Sequence, residues 1–155
     1  MTYLERLQLK ETPPADETCS CSAQPPFHLR YAFSEFPLYC TDCNGQISPS
    51  TLQLSEDLAA EIVSWRTVYA ALFGLWLDSS DYETFARTAL LDPVGDVNRR
   101  GLKLAARLSE QHPTYYWWFR DDSDSPAEQC PVCCGPMADH STRHFRFCDS
   151  CRISC

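Results

Sequence analysis

Three Cys-x-x-Cys pairs, Cys40/Cys43, Cys130/Cys133 and Cys148/Cys151, constrain this chain more than any other feature of it. Two cysteines closing a tight turn aim both sulfurs at one point, which suits a tetrahedral zinc ion with Zn–S bonds of about 2.3 Å. A disulfide framework has no reason to repeat that spacing three times. The last two pairs read Cys-x2-Cys-x14-Cys-x2-Cys, the spacing of a four-thiolate zinc ribbon. Pro131 and Gly135-Pro136 shape the first turn, and His144-Phe145-Arg146-Phe147 leads into the second as a short strand. A hairpin would then set Cys130 and Cys133 opposite Cys148 and Cys151. Neither pair lies between a strand and a long helix, as a thioredoxin-like redox motif would.

The first pair is also a good knuckle, because Asn44 and Gly45 readily supply the positive φ its turn needs. Its partners are less determined. Cys19-Ser-Cys21 lies upstream, so Cys19, Cys21, Cys40 and Cys43 can close a second four-sulfur site. The alternatives are a site completed by a histidine such as His28, and a degenerate site that has lost its metal. Cys134 and Cys155 have no evident partner and read as bystanders. The expected cofactor is Zn2+, one ion at the C-terminal set and two if the upstream set also fills.

At 155 residues and 44% hydrophobic content, the chain can build one ordinary domain with room for a small second unit. Residues 1–26 are polar and proline-bearing and read as an irregular arm. From Phe27 to Tyr39, apolar residues alternate with polar or small ones, as in a half-buried strand. Leu58, Ile62, Trp65, Tyr69, Leu72 and Trp76 then form one apolar helical face, with Ser55 as its cap. Ser80-Asp81-Tyr82-Glu83 has the capping-box pattern for a second helix through Leu91, and a third is expected from Asp96 to Gln111. Thr114–Arg120 is aromatic on both faces and reads as a strand buried on both sides, with helices on one face and the ribbon near the other. Residues 121–129 form an acidic linker. The expected architecture is α+β: a helical middle of about three helices packed on a small antiparallel sheet, with a C-terminal zinc ribbon. It divides as 1–26 (arm), 27–120 (core with the first knuckle) and 121–155 (linker and ribbon).

Leu38-Tyr39-Cys40-Thr-Asp-Cys43, the helical middle with Trp65 and Tyr69, Tyr115-Tyr116-Trp117-Trp118, Cys130-Pro-Val-Cys133 and Phe147-Cys148-Asp-Ser-Cys151-Arg152 occur in that order. In this the chain resembles a family of uncharacterised bacterial proteins, described as zinc-ribbon-containing and as candidate nucleic-acid binders. The resemblance covers about residues 36–155 and implies zinc ligation by Cys130, Cys133, Cys148 and Cys151. Members run longer at the N-terminus, so the chain looks like a shortened form. It departs from the pattern at Cys134, where a glycine would be expected.

Arg143, Arg146 and Arg152 around the ribbon, with Arg99, Arg100, Lys103 and Arg107 along the third helix, are the candidate nucleic-acid contacts. Exposed aromatics could stack on unpaired bases. Against this, the formal charge is −8, and each four-thiolate zinc centre would add two more negative charges. Acidity suits the alternative, a protein-interaction module (adaptor, regulator or inhibitor) whose partner has a basic surface. No His-Glu-x-x-His or His-x-Glu pattern and no phosphate-binding glycine loop occurs, and four thiolates leave zinc no open coordination position, so no enzymatic activity is expected. His140 and His144 read as surface residues. No basic segment leads into an apolar stretch at the start, and no run of eighteen apolar residues occurs. A cytoplasmic protein with no membrane partner is therefore expected.

Overall fold

The computed structural model describes residues 1–7, 15–33, 36–125, 127–139 and 145–155. In chain order its elements are α1 (Tyr3–Leu7), β1 (Phe27–Leu29), β2 (Leu38–Cys40), a 3-10 turn (Pro49–Thr51), α2 (Glu56–Asp78), α3 (Glu83–Leu91), α4 (Asp96–Leu108), β3 (Thr114–Trp117), β4 (Ala138–Asp139), β5 (Arg146–Cys148) and β6 (Ile153–Ser154). The α+β class and the three-helix middle match the sequence reading.

The α2 helix begins at Ser55, whose extended backbone lets its hydroxyl accept the Leu58 N–H, with Glu56 and Asp57 at the positive end of the helix dipole. Its first half buries Leu58, Ala59, Ile62, Val63, Trp65 and Tyr69. By length and composition α2 is apolar enough to cross a membrane, contrary to the expectation from apolar runs; its buried stripe instead packs inside the protein. The capping box expected at Ser80 does not form. Ser80 takes a left-handed φ of 54° to reverse the chain, and the Tyr82 N–H goes to the Ser79 hydroxyl. The α4 helix stops at Leu108 rather than Gln111, because the Ser109 hydroxyl turns back to bond both the N–H and the C=O of Thr114.

Two buried residues lock α4 to the sheet. Gly101 lies so close to Tyr116 that a Cβ there would fall 2.1 Å from the ring. The Tyr116 hydroxyl donates to Asn98 Oδ1 at 2.8 Å, while Asn98 Nδ2 donates to the Leu90 and Asp92 carbonyls at the end of α3.

The sheet is mixed and six-stranded, in the order β2-β1-β3-β6-β5-β4, and not the small antiparallel sheet expected. The β1 strand pairs antiparallel with β2 but parallel with β3, and β3 pairs parallel with β6. The helices α2, α3 and α4 lie between β1 and β3 in sequence, and a long helical crossover returns a strand in the same direction. The expected Phe27–Tyr39 strand is a broken hairpin, β1 and β2. The expected Thr114–Arg120 strand ends at Trp117, after which Phe119 turns to the helix side against Trp76, ring centroids 4.9 Å apart. Within the first 26 residues, expected irregular, α1 docks its buried Leu7, and Tyr3 N–H donates to Glu56.

The helix-facing side carries Phe27, Leu29, Leu38, Tyr116 and Ile153. The other side carries His28, Tyr39, Tyr115, Trp117, Phe147 and Ser154, where aromatic rings surround His28. The ribbon strands extend the sheet edgewise, because β6 pairs directly with β3. Phe147 of β5, and Phe145 just before it, reach over this face to His28, ring centroids 5.9 and 4.8 Å away.

Candidate metal centres

Two sets of four thiols come together: Cys19, Cys21, Cys40 and Cys43, and Cys130, Cys133, Cys148 and Cys151. Within each set every Sγ lies within 4.8 Å of the others. Cys40 sits opposite Phe27, the first residue of β1, and Cys148 opposite Ile153, the first of β6. Both centres therefore lie at the end of the sheet from which the parallel strands start, one near each lateral edge.

The knuckles share one local geometry. In the first, Cys40 N–H donates to the Gly45 carbonyl and Asn44 N–H to the Cys40 carbonyl; in the second, Cys130 N–H donates to Gly135 and Cys134 N–H to Cys130. The residue after the second cysteine is left-handed in all three pairs: Asn44 at φ 60°, Cys134 at 58° and Arg152 at 54°. Cys134 thus occupies the turn position filled by Asn44 in the first knuckle; its thiol is exposed and outside the set. Backbone N–H groups point at the sulfurs, with Asp42 and Cys43 toward Cys40 Sγ, Gly45 toward Cys43 Sγ and Val132 toward Cys130 Sγ, at 3.4–3.5 Å.

The N-terminal set closes because the Cys19 segment runs beside the first knuckle. Cys19 N–H bonds the Gln46 carbonyl at 3.0 Å, and Gln46 N–H bonds Glu17 at 2.8 Å. This approach needs Gly45, where a Cβ would stand 2.6 Å from the Cys19 nitrogen. The positive φ expected of both Asn44 and Gly45 falls to Asn44 alone, and Gly45 serves instead to admit the neighbouring Cys19 segment, a tertiary fact.

The donor chemistry fits one tetrahedral ion at each set. Zn–S bonds of about 2.3 Å place sulfurs about 3.8 Å apart. Cys21 and Cys40 Sγ are 3.9 Å apart, and Cys133 and Cys148 Sγ 3.6 Å, far beyond the roughly 2.05 Å of a disulfide. All ten cysteines are unbridged. Burial pushes the Cys40 thiol up to about 11 and Cys151 to about 12, and the neighbouring Cys43 chiefly holds Cys21 at about 11. Cys133 falls to about 6, chiefly through the Gly135 N–H. Burial raises Cys43, but the Gly45 N–H and the adjacent thiols outweigh it and leave it below its ordinary value. Within each set some thiols therefore resist becoming thiolate while another favours it, and a divalent cation supplies what four thiolates together require.

His28 does not complete the first set. Its Nδ1 bonds Ser154 Oγ at 2.7 Å on the far face of the sheet, and burial lowers it to about 3. Cys155 is buried beside β5 and ligates nothing among the described residues. Of the candidate nucleic-acid residues, Arg107 pairs with Glu61 at 2.7 Å, Arg100 bonds the Ser64 hydroxyl at 2.8 Å, and Arg99 pairs with Asp96. Lys103 is exposed on α4, Arg152 is exposed in the third knuckle, and Arg146 reaches the Ala127 carbonyl. Arg143, His140 and His144 lie outside the described residues. Arg100 and Arg107 thus sit over α2, Arg99 stays on α4, and Arg146 and Arg152 sit in the ribbon.

Residues 23–119 match the family model described as "Domain of unknown function (DUF2310)". That span runs from just before β1 through β3 and contains Cys40 and Cys43, while the other six clustered cysteines flank it. No curated protein and no solved structure matches the chain.

Proposed function

Because the chain belongs to the DUF2310 family, whose description assigns no activity, we propose from its own residues that it is a non-catalytic binding protein clasped by two structural Zn2+ ions. The observation carrying this reading is the pair of four-thiol sets at tetrahedral spacing, each fed by knuckle N–H groups. Four thiolates fill zinc's coordination and leave no position for water or substrate. The bound ions would fix the two lateral ends of the sheet and supply no reagent. Unbridged thiols suit a reducing compartment, and we place the protein in the cytoplasm.

Native mass spectrometry against denatured mass tests the ions. Two zincs per chain support the reading, and none overturns it. Iron in the same tetrahedron would colour the protein and give it a redox couple, replacing zinc in the proposal.

A protein partner is the better-supported ligand. Two filled centres take the charge from −8 to −12, and the arginines on α4 are engaged with Asp96, Ser64 and Glu61. The alternative reading, nucleic acid, would use the exposed Lys103 of α4 and Arg152 of the third knuckle as phosphate contacts. Purification from the native host with and without nuclease separates the two. Recovery of a stoichiometric protein that nuclease leaves unchanged supports the first, and nuclease-sensitive RNA or DNA supports the second.

A further inference from the structure

The second half of α2 departs from what a core helix needs. Ala70–Leu77 is eight residues without a charge or a hydrogen-bonding side chain other than the Trp76 indole, and none of the eight is buried. Rings in contact lead outward from this segment. Phe119, buried, meets Trp76 at 4.9 Å; Trp76 meets Phe73 at 5.1 Å; Phe73 meets Tyr31 at 5.2 Å and Phe33 at 5.5 Å. Phe33, at the outer end, is 75% exposed, and Leu77 is 48% exposed. A single exposed phenylalanine is ordinary, but a continuous path of rings ending in one, beside an uncovered apolar helix end, marks an interaction surface.

Its electrostatics select the occupant. The last turn of α2 has no basic residue, and exposed Asp78, Asp81 and Glu83 follow at the negative end of its dipole. After Phe119 come Arg120, Asp121, Asp122 and Asp124, where Arg87 ties down Asp121 and Asp124 at 3.5 and 2.7 Å while Asp122 is exposed. Among the described residues, Arg66 also lies at the patch, 5.9 Å over the Tyr31 ring at its inner side. The apolar strip is therefore bordered by acid at the helix end.

We propose that the ring path Phe33–Tyr31–Phe73–Trp76 with Leu77 is a docking surface for an amphipathic helical segment of a protein partner, whose apolar side covers the rings and whose Lys/Arg residues meet Asp78, Asp81 and Glu83. This rests on the reading of the chain as a protein-binding module and names the chemistry of the partner.

The probe is a leucine–lysine amphipathic peptide of about 18 residues, five helical turns, titrated into the zinc-loaded full chain by calorimetry, with a leucine–glutamate peptide as control. Saturable 1:1 binding of the lysine peptide is expected, weakened at least tenfold by Phe33→Ser with Leu77→Ser and separately by Asp78→Lys. All three changed residues are exposed, so two zincs and the wild-type melting temperature should remain in each variant. Unweakened binding in the variants, or equal binding of the glutamate peptide, overturns the proposal. So does self-association abolished by Phe33→Ser, which assigns the face to a second copy, or partition into phosphatidylcholine vesicles abolished by it, which assigns the face to lipid. Zinc counted in the same samples keeps the tests apart: failed peptide binding with two zincs present rejects this surface alone, whereas absent zinc rejects the clasped-sheet reading.

Discussion

Cys148→Ser removes one ligand from the C-terminal centre at the point where it holds the last strand to the core. Cys148 is paired with Ile153, and β6 lies along β3, with Tyr116 N–H donating to the Arg152 carbonyl and Trp118 N–H to Ser154, both at 2.7 Å. If the centre opens and β5–β6 peels away, the buried side chains of Phe147 and Ile153 are lost, at about 1.5–3 kcal/mol each. The two hydrogen bonds to β3 and the Ser154 bond to buried His28 add about 1 kcal/mol apiece. The sum is roughly 6–9 kcal/mol, a large share of the 5–15 kcal/mol that keeps an ordinary domain folded. At about 2–4 °C per kcal/mol for a chain this size, the melting temperature should fall by roughly 12–36 °C. Native mass spectrometry should count one ion instead of two, and hydrogen exchange should show the Tyr116 and Trp118 amides losing protection. Cys134→Ser is the control, since that thiol is exposed and outside the set. A Cys148→Ser protein that keeps two ions, or one that loses an ion yet keeps those amides protected and its melting temperature unchanged, refutes the reasoning.

Gly101→Ala gains about 1 kcal/mol of helix propensity but drives a methyl into the Tyr116 ring and strains its bond to buried Asn98; denaturant unfolding should register a net loss of about 2–4 kcal/mol. Gly45→Ala forces the Cys19 segment off the first knuckle, so metal analysis should find the N-terminal ion lost and the C-terminal one retained. His28, held by burial at about 3 against 6.5, stays neutral in the fold while the unfolded chain binds the proton. Its contribution is complete above pH 6.5 and is lost as pH falls from 6.5 toward 3, at up to about 1.4 kcal/mol per pH unit. Unfolding free energy of His28→Gln measured across pH 4–7 should therefore be flatter by as much as one proton, and an unchanged slope rejects the burial argument.

Much of the metal chemistry was legible in the order of residues because it is local. In the first two knuckles a Cys-x-x-Cys turn, a residue of positive φ and a glycine N–H aimed at sulfur all lie within six positions, and in the third the same turn ends on left-handed Arg152 without a glycine, so each turn is legible before any fold is known. The same holds for the Ser55 cap and the buried face of α2, where a period of 3.6 residues records which side meets the core. Where two local signals competed, the sequence misled. Ser80 satisfied a capping pattern, yet the chain needed it left-handed to reverse from α2 into α3.

What remained hidden depended on residues far apart in sequence. The sequence leaves the upstream set as one of several options, because nothing in the order of residues records how close two backbones come, and it is Gly45 that lets Cys19 approach. Strand direction was equally invisible: alternation says which side chains share a face, but β1, β3 and β6 run parallel because of the path the intervening helices take. The aromatic segment illustrates the division. Its sequence determined that Tyr115–Phe119 must be covered, since so much apolar surface cannot stay in water. Only the tertiary structure decided that Tyr116 meets Gly101, that Trp117 faces His28 and that Phe119 turns back to α2, because those placements follow from packing between elements brought together by the fold.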